Sequence, residues 1–569
     1  MKRILSVLLA AVMCAAVLTG CTGTSTETAA DTTGAATDTG KTTETETETE
    51  TETEEMTETE TTEEVTDPVV TENEEAMNAE PAAQFTVSRA FGNDMVIQRN
   101  EYIRIWGWAD ESENGKRVEA EFSGLHGAAV IENGEWLITL GGTLPANTEG
   151  QTLRVFAAEG TEKVFENVLV GDVYWVIGQS NIWYPVSYIL EEPKASEEAR
   201  NVEISDELQI RLNRTFAGDF AGLTIGTDAV SKNVVNRRGW QKPEKGAKDF
   251  SAVGYFTALM MYNKLDRKIP MGMIEFDGNG CALHAFLPNE VRDALNVSKK
   301  QSNGTYTAAG VNAHVSSFMY NHGMYGFQNM PIKGVIWYQG ESDLGNQNNN
   351  STEYANRFTA FVEYIRNAHD QIHHDYPVYM VELPPIFIAF DFSDVRLNMG
   401  TIPSKCNNVH ISSSADLWKD KKYGAGEPIK NNLHPYNKWE VSQRMSSIIL
   451  ADMYGVGDLD YTEGPVPMSY EASEDGLTVT VRFAHVGDGL TVSGETIKGV
   501  KVVTGTMKKF SKPASVEIDG KDGLKITAKE KITAVAYNTS REETFPEKLT
   551  LCSSSGIPCA SFRFDITVK

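Results

Sequence analysis

Between Asp172 and about Tyr454, short apolar runs alternate with longer stretches of helical periodicity. The strand candidates are VYWVIG, MGMIEF, GVIWYQ and VYMVEL, and the helix candidates include FTALMMYNKLD, EYANRFTAFVEYIRNAHD and NKWEVSQRMSSIILADMYG. This alternation is typical of a parallel sheet with helices on both faces. In such sheets, ligands bind beyond the carboxyl ends of the strands. The pattern therefore predicts an α/β domain and the edge at which its functional residues lie.

The segments on either side of this region have the two-residue alternation of β-strands. Before it lie MVIQRNEYIRIWGWA, RVEAEFSG, EWLITLGG and QTLRVFAAE, and after it lie LTVTVRF, ASVEIDG, KITAVAYN and ASFRFDITVK. Turn residues separate these segments, which favours two small β-sandwiches. We expect an N-terminal sandwich over 85–170, the α/β domain over 171–456 and a C-terminal sandwich over 464–569.

The first twenty-one residues have the pattern of a targeting segment. Lys2 and Arg3 precede an apolar run that ends in LTGC, and the run is too short for a membrane span. The ending resembles a bacterial lipobox, which implies cleavage before Cys21 and attachment of lipid to its thiol. An ordinary signal peptide is the alternative. We expect a lipoprotein leader over 1–21 and a bacterial cell-surface location, with the membrane contacted only through the lipid.

The net charge of −28 is concentrated near the start of the chain. Residues 21–80 hold nineteen acidic residues and a single lysine, Lys41. Residues 22–84 have almost no apolar side chains to bury, so this stretch is predicted to be a disordered, Thr/Glu-rich tether. Nucleic-acid binding is disfavoured, because it requires basic surface that replaces counterions.

Four cysteines follow Cys21, and none of them has the spacing of a zinc site. Cys552 and Cys559 flank the short loop CSSSGIPC, and a disulfide between them is one alternative outside the cell. No metal or organic cofactor is expected.

Ser180 is the first candidate for chemistry. It follows the strand VYWVIG directly, in the stretch GQSN, where an open α/β sheet places reactive groups. A helix that begins next to it would direct free N–H groups at a developing oxyanion. Ser180 is therefore a candidate nucleophile, although many serines at such positions only cap helices.

A serine nucleophile needs a base, and the chain has ten histidines. His434, in NNLHPYNKWEVSQRM, precedes an amphipathic helix near the end of the α/β domain, from where a loop can reach the sheet edge. His284, His314 and His322 lie nearer to the strand ends and are weaker rivals.

Two stretches offer donors for an oxyanion. EFDGNGCALHAF presents the backbone N–H of Gly280, and GVIWYQGESD ends a strand on Gln339, Gly340 and Glu341. Gln339 could donate an amide N–H. Glu341 could orient the histidine, and a structural role for its carboxylate in binding backbone amides is the alternative.

The blocks GQSN, GWQKPEKGAKDFSAVGYFTALM, IKGVIWYQGESD and LHPYNK, in this order, resemble the sialate O-acetylesterase type of SGNH hydrolase. The flanks FGNDMVIQRNEYIRIWGWA and GPVPMSYEASEDGLTVTVRFAHVGDGL resemble the accessory sandwiches of that family. The resemblance covers about residues 85–566.

The resemblance implies a three-layer α/β/α esterase domain with a parallel sheet, flanked by two accessory β-sandwiches. It implies Ser180 as nucleophile, His434 as base, and an oxyanion hole formed by the amides of Ser180 and Gly280 with help from Gln339. The implied reaction is removal of O-acetyl groups from carbohydrates through an acyl-enzyme. Asn181 and Trp183 are the candidates for substrate contact.

Three positions depart from the pattern of the family. Ile182 stands where many relatives have Met, and Asn279-Gly280-Cys281 replaces the usual GGT. The acid three residues before the histidine is here Asn431, and an amide cannot stabilise an imidazolium as a carboxylate does. Glu341 is our expected orienting acid, with Asp416 as the alternative.

The resemblance implies an acetylated oligo- or polysaccharide as the substrate. The family name points to O-acetyl sialic acids, and an esterase for acetylated xylan or other hemicellulose is the alternative. A protein of another class, a carbohydrate-binding lipoprotein on an inactive esterase scaffold, is favoured only by Asn431 and Cys281.

Overall fold

The N-terminal part of the structure consists mainly of antiparallel strands joined by turns. The computed structural model describes residues 74–215, 217–220, 228–236, 238–297, 315–343, 351–384, 391–417, 433–505, 509–540 and 545–567. The first elements are α1 (Glu74–Asn78), β1 (Thr86–Val87), β2 (Val96–Gln98), β3 (Arg104–Trp108), β4 (Arg117–Phe122), β5 (Leu125–Val130), β6 (Glu135–Thr139), β7 (Asn147–Phe156) and β8 (Glu162–Gly178). Strands β1, β3 and β6 form one sheet, while β4 pairs with β5 and β7.

Residues 74–84 differ from the prediction of a disordered tether. They contain helix α1, and Ala82 donates its N–H to the carbonyl of Arg117. Ala76 and Ala82 are fully buried, because their small side chains fit against the first strands. The predicted tether therefore extends too far toward the N-terminal strands. The leader 1–21, Cys21 and residues 22–73 lie outside the described residues.

Strand β8 connects the N-terminal strands to the central sheet without interruption. Its first half pairs antiparallel with β7, and residues 169–171 run parallel to β2. Its second half, residues 172–178, lies in the parallel sheet. The domain boundary expected at residue 170 falls within this strand, so the two regions share a backbone element.

The central region alternates strands and helices. It contains β9 (Ile210–Thr215), β10 (Trp240–Gln241), β11 (Met271–Asp277), β12 (Gly334–Tyr338), β13 (Val378–Val381) and β14 (Val409–Ser412). Its helices are α2 (Ser180–Trp183), α3 (Val186–Glu191), α4 (Glu197–Arg200), α5 (Pro243–Gly246), α6 (Ala252–Lys264), α7 (Asn289–Ala294), α8 (Tyr354–Ala368), α9 (Ser393–Met399) and α10 (Lys438–Tyr454). The long helices lie where the periodicity predicts them.

The strand order of the central sheet is β10-β9-β11-β8-β12-β13-β14. All of these neighbours are parallel except β10 and β9. Every residue of β11 and β12 is buried, as expected for parallel strands that are covered on both faces. The α/β class, with several sheets, is confirmed.

The register brings three strand ends together. Gly178, the last residue of β8, is level with Asp277 of β11 on one side and with Tyr338 of β12 on the other. The segments that follow these three strands therefore begin at one edge of the sheet.

The C-terminal region returns to antiparallel strands. Its elements are α11 (Leu459–Thr462), β15 (Val466–Ala472), β16 (Thr478–Ala484), β17 (Leu490–Val492), β18 (Val500–Thr504), β19 (Ser515–Asp519), β20 (Gly523–Thr527), β21 (Ile532–Tyr537), β22 (Leu551–Ser553) and β23 (Phe562–Asp565). They form the sheets β15-β16-β20-β19, β17-β22 and β18-β21-β23. Cys552 and Cys559 are buried free thiols, so the alternative of a disulfide between them is wrong.

Two hydrophobic cores hold these regions. One core runs from the N-terminal strands through both faces of the central sheet, and the other lies among the C-terminal strands. Ala415, which follows β14, belongs to the C-terminal core. Within the described ranges, no helix has both the length and the apolar character that a bilayer crossing requires.

Candidate active site

Ser180 is the first residue of helix α2, two positions beyond the end of β8. Only glycine fits at position 178, because β12 lies so close that a Cβ there would be 2.1 Å from the carbonyl oxygen of Tyr338. The turn that carries Ser180 therefore begins directly beside the end of β12.

The side chain of Gln179 binds the turn to the neighbouring segment. Its side chain is buried, and its Oε1 accepts the N–H of Ser342 at 3.1 Å and the amide of Gln339 at 3.2 Å. The segment after β8 is therefore bound to the segment after β12, and Ser180 is held relative to Glu341.

The segment after β11 supplies Asn279 and Gly280. Gly280 has a φ of +73°, a backbone conformation that favours glycine. The N–H of Gly278 donates to the carbonyl of Gly178 at 3.0 Å, so this turn is bound to the end of β8. Cys281 is fully buried, and burial raises the pKa of its thiol, which keeps the thiol protonated.

Gln339 does not face the same space as Ser180. Its Nε2 donates to Asp343 at 2.6 Å and to the carbonyl of Cys281 at 3.1 Å, and the residue is fully buried. Burial also raises the pKa of Asp343 to about 7. The amide of Gln339 is thus used inside the protein, and the structure gives no support for its predicted place in the oxyanion hole.

Glu341 is linked to the loop of His434 through Asn181. Asn181 Nδ2 donates to Glu341 Oε1 and, at 3.1 Å, to the carbonyl oxygen of Leu433. Its Oδ1 accepts a hydrogen bond of 2.6 Å from Lys438 Nζ. Asn181 is itself buried, and both ends of its side chain bind protein groups, so it holds the site together rather than presenting its amide to solvent.

Lys438 is a buried cation, an unusual feature for the first residue of a helix. Its Nζ lies 4.9 Å from the ring centroid of Tyr338 and 5.4 Å from that of Tyr184. Burial lowers the pKa of its ammonium to about 7, although the Glu341 carboxylate acts in the opposite direction. Burial raises the pKa of Glu341, while the hydrogen bond from Asn181 and the charge of Lys438 lower it.

His434 lies on the loop that leads into α10. Burial lowers the pKa of its imidazole, and the nearby ammonium of Lys438 lowers it further. Both effects favour the neutral ring at neutral pH. A neutral imidazole is the form that can accept a proton from a hydroxyl.

These segments enclose a cavity of about 430 Å³. The residues that line it come from four separate parts of the sequence and are Gln179, Ser180, Trp183, Asn279, Gly280, Glu341, Ser342, Leu433 and His434. The sequence predicted Ser180, Trp183, Gly280, Glu341 and His434 as site residues, and the structure brings these five together. The lining contains one imidazole and one carboxylate, fewer than the three protein ligands of a typical catalytic zinc.

The alternatives to these residues lie elsewhere or outside the described residues. Asp416 is not part of the lining and forms a two-pronged ion pair with Arg444 of α10, at 2.7 and 2.9 Å. His322 is 2.8 Å from the hydroxyl of Ser231, and His284 is buried away from the cavity lining. His314 and Asn431 fall outside the described residues.

Sequence reasoning missed Asn279 and Lys438 as contributors. Asn279 appeared only as a departure from a glycine-rich motif, although its place next to Gly280 was a usable signal. Lys438 stood in the quoted block LHPYNK, but a lysine at the start of a helix is normally solvated. Trp337 and Tyr338, for which core packing was the safer interpretation, are fully buried.

A family model matches the middle of the chain. Residues 258–423 match the model of the family described as carbohydrate esterase, sialic acid-specific acetylesterase. This segment includes Gly280 and Glu341 but neither Ser180 nor His434, whose place in the site rests on the geometry.

Sialate O-acetylesterases are among the similar proteins. The protein of that name from Pongo abelii is 25% identical over 419 residues, and the one from Homo sapiens is 24% identical over 418 residues. In both cases the alignment covers 68% of this chain and 74% of the relative.

The fold is also found in a solved structure. A carbohydrate acetylesterase from Xanthomonas citri superposes with a TM-score of 0.65 at 21% identity, covering 85% of this chain and 100% of that one. At this identity the similarity concerns the fold alone. Taken together, the matches show that the chain is similar to carbohydrate esterases, the sialate O-acetylesterases among them, and these proteins are carboxylic ester hydrolases.

Proposed function

We propose that the chain is a serine esterase that removes O-acetyl groups from carbohydrates through an acetyl-enzyme on Ser180. The observation that carries this proposal is the cavity in which Ser180, Gly280 and His434 meet although they are distant in sequence. A nucleophile, a base with a lowered pKa and a glycine turn are the parts that acyl transfer needs.

In the first step, His434 takes the proton of the Ser180 hydroxyl as the oxygen attacks the acetyl carbonyl. The tetrahedral oxyanion is stabilised by the backbone N–H groups of Ser180 and Gly280. Asn279 lines the cavity beside Gly280, and we assign its side-chain amide as the third donor in place of Gln339.

When this intermediate collapses, His434 gives its proton to the departing sugar oxygen, and the acetyl group stays on Ser180. In the second half of the reaction, water loses a proton to His434 and attacks the acetyl carbon. The bond to Ser180 then breaks, His434 returns the proton to the serine oxygen, and acetate is released. No step requires an oxidant, a reductant or a second substrate other than water.

Glu341 acts as a positioning residue in this scheme. Its carboxylate holds the amide of Asn181, which in turn holds the carbonyl of Leu433 next to the base. The ammonium of Lys438 fixes the orientation of that amide from its other end. The acid of the site is thus coupled to His434 through an amide.

Trp183 is the candidate for contact with the sugar. It is half-buried, lines the cavity and packs edge-on against Tyr188, which is 48% exposed. Aromatic faces of this kind bind the apolar face of a sugar ring. We propose an O-acetylated sialoglycan as the substrate, with acetylated xylan as the competing candidate.

We also propose the finer architecture and location that the sequence predicts. The central region is a three-layer α/β/α domain, and the flanking sheets are accessory β-sandwiches. The leader ends at a lipobox, and Cys21 carries the lipid that holds the protein on the surface of a bacterial cell. These assignments are supported by the strand pattern of the flanks and by the sequence LTGC.

The deciding experiment measures acetate released by the full chain from 9-O-acetyl sialoglycan and from acetylated xylan. We expect Ser180→Ala to lower the turnover number by about 10⁴–10⁶-fold, as loss of a serine nucleophile does elsewhere. Ser187→Ala, a neighbouring serine outside the cavity lining, is the matched control and should be fully active.

The outcomes separate the candidates. Release by wild type alone supports the esterase, and the faster substrate identifies its class. Equal acetate release by wild type and Ser180→Ala would show that Ser180 is not the nucleophile. If both proteins bind the sugar and neither releases acetate, the protein is a carbohydrate-binding protein and not an esterase.

A further inference from the structure

Two histidines and a glutamate converge at the junction between the central sheet and the C-terminal strands. His410 lies on the edge strand β14, Glu463 follows helix α11, and His485 follows β16. One ligand atom from each of the three lies within 4.8 Å of the others. None of these residues lines the cavity that contains Ser180.

A single carboxylate oxygen faces both imidazoles. Glu463 Oε2 is 2.7 Å from His410 Nδ1 and 3.4 Å from His485 Nε2. Elsewhere in the described chain, His126 and His373 each pair with a glutamate that faces no second histidine. Convergence of two ring nitrogens and a carboxylate on one point is typical of a metal site, and His₂Glu is a zinc-binding set.

The outer groups fit the same interpretation. The other nitrogen of His410 lies 3.5 Å from Asp452, and the other nitrogen of His485 lies 3.3 Å from Asp460. Histidine ligands of metals usually place their second nitrogen on a carboxylate, which fixes the tautomer and the orientation of the ring.

Glu463 is held in place as well. Its second oxygen, Oε1, accepts the backbone N–H of Ile411 at 2.7 Å, and its side chain is almost fully buried. On the other side of the cluster, Tyr379 stacks on His410 and donates a hydrogen bond to Asp452. The three inner residues are therefore oriented by groups from separate elements.

The backbone at His485 also has an uncommon conformation. Its φ is +56°, in the left-handed region that side-chain-bearing residues rarely adopt. Such a conformation persists only where the surroundings determine it. Here it carries the imidazole to the carboxylate of Glu463.

We propose that His410 Nδ1, Glu463 Oε2 and His485 Nε2 bind one zinc ion, with water as the fourth ligand. Ligand atoms of tetrahedral zinc lie about 3.3 Å apart, given Zn–N and Zn–O bonds of about 2.0–2.2 Å. The pair Glu463–His485 already has this spacing, and the pair His410–Glu463 opens by about half an ångström to reach it. The ion would join the edge of the central sheet to the C-terminal strands.

The test measures metal content and affinity in the full chain, produced without a polyhistidine tag. The protein is dialysed against a molar excess of zinc and then against buffer without zinc. We then expect one zinc ion per chain, measured by inductively coupled plasma mass spectrometry. His485→Ala should lose it, while His126→Ala, which removes a histidine whose glutamate faces no second histidine, should retain it.

Two further measurements keep the proposal testable if His485→Ala folds poorly. Asp460→Asn changes a half-exposed outer carboxylate, and we expect it to weaken zinc binding by about 10–100-fold in a competition titration. Cobalt substituted for zinc should give the visible absorption of a tetrahedral ion. Absence of bound zinc in wild type, or equal retention by folded His485→Ala, would overturn the proposal.

Discussion

Lys438 places a positive charge next to the base of the proposed reaction. The imidazole of His434 must be neutral to accept the serine proton, so activity is lost as the pH falls through its pKa. Lys438, with a pKa of about 7, is charged throughout that acidic range. Its charge therefore helps to keep His434 neutral at lower pH.

We expect Lys438→Met to shift the acidic limb of the kcat/KM profile toward higher pH. Removal of the ammonium raises the pKa of His434, because both the cation and its partial neutralisation of Glu341 are lost. The profile is measured between pH 4.5 and 9 on a soluble acetyl ester. Lys405→Met is the matched control, because burial lowers the pKa of Lys405 as well and this lysine does not line the cavity. A limb that stays in place, or moves toward lower pH, contradicts this electrostatic role.

Asn279 and Gln339 are the two alternatives for the side-chain donor of the oxyanion hole. Asn279 lines the cavity, whereas the amide of Gln339 binds Asp343 and Cys281. We expect Asn279→Ala to lower kcat by about 10²–10³-fold with little change in KM, the usual cost of losing one oxyanion donor. Gln339→Ala should act on stability first, because it removes one of the hydrogen bonds that the buried carboxyl of Asp343 accepts and, among the described residues, leaves only that from the N–H of Leu283. A folded Gln339→Ala that loses kcat while Asn279→Ala keeps it would restore the prediction made from the sequence.

Among the secondary-structure elements, the strand pattern predicted those site residues that directly follow a strand. Ser180, Gly280 and Glu341 follow three apolar runs, and parallel strands bring their carboxyl ends to one edge. His434 follows no strand, so its place depended on the resemblance to a family. The direction of the Gln339 side chain and the burial of Lys438 were beyond prediction, because both depend on the packing of segments distant in sequence.

Strand β8 also explains why the predicted boundary at residue 170 does not separate two elements. Asp172 lies at the middle of this strand and is fully buried. It accepts hydrogen bonds from Arg99 at 2.9 and 3.0 Å, from Gln98 at 3.1 Å and from Tyr454 at 2.8 Å. One carboxylate thus joins the N-terminal strands to helix α10.

We expect Arg99→Gln to destabilise the protein by about 3 kcal/mol, because it leaves a buried carboxylate without its cation. The free energy of unfolding in urea measures this change. The matched control is Arg154→Gln, which removes a surface arginine that contacts the carboxylates of Glu121 and Glu162 and should cause no measurable change. Equal effects of the two substitutions would show that Asp172 does not depend on Arg99.

Considering the whole molecule, side chains of the central region bind the backbone of the C-terminal region. The buried carboxylate of Glu382 accepts the N–H of Ser561 at 2.7 Å, and Arg396 of α9 donates to the carbonyl of Ser540 at 2.9 Å. Since Ala415 also enters the C-terminal core, we expect both cores to unfold together.

Gly400 provides the test of this coupling. A Cβ at this position would lie 1.5 Å from the carbonyl oxygen of Ser561, so the two backbones must separate in Gly400→Ala. We expect a loss of about 1–3 kcal/mol, the usual cost of overpacking, and a calorimetric transition that splits in two as the C-terminal strands detach. Gly92→Ala, whose Cβ would meet nothing closer than 3.6 Å, should unfold as wild type does in a single transition. If Gly400→Ala also unfolds in one unshifted transition, the C-terminal strands are not held at this contact. If wild type itself unfolds in two steps, the cores are independent.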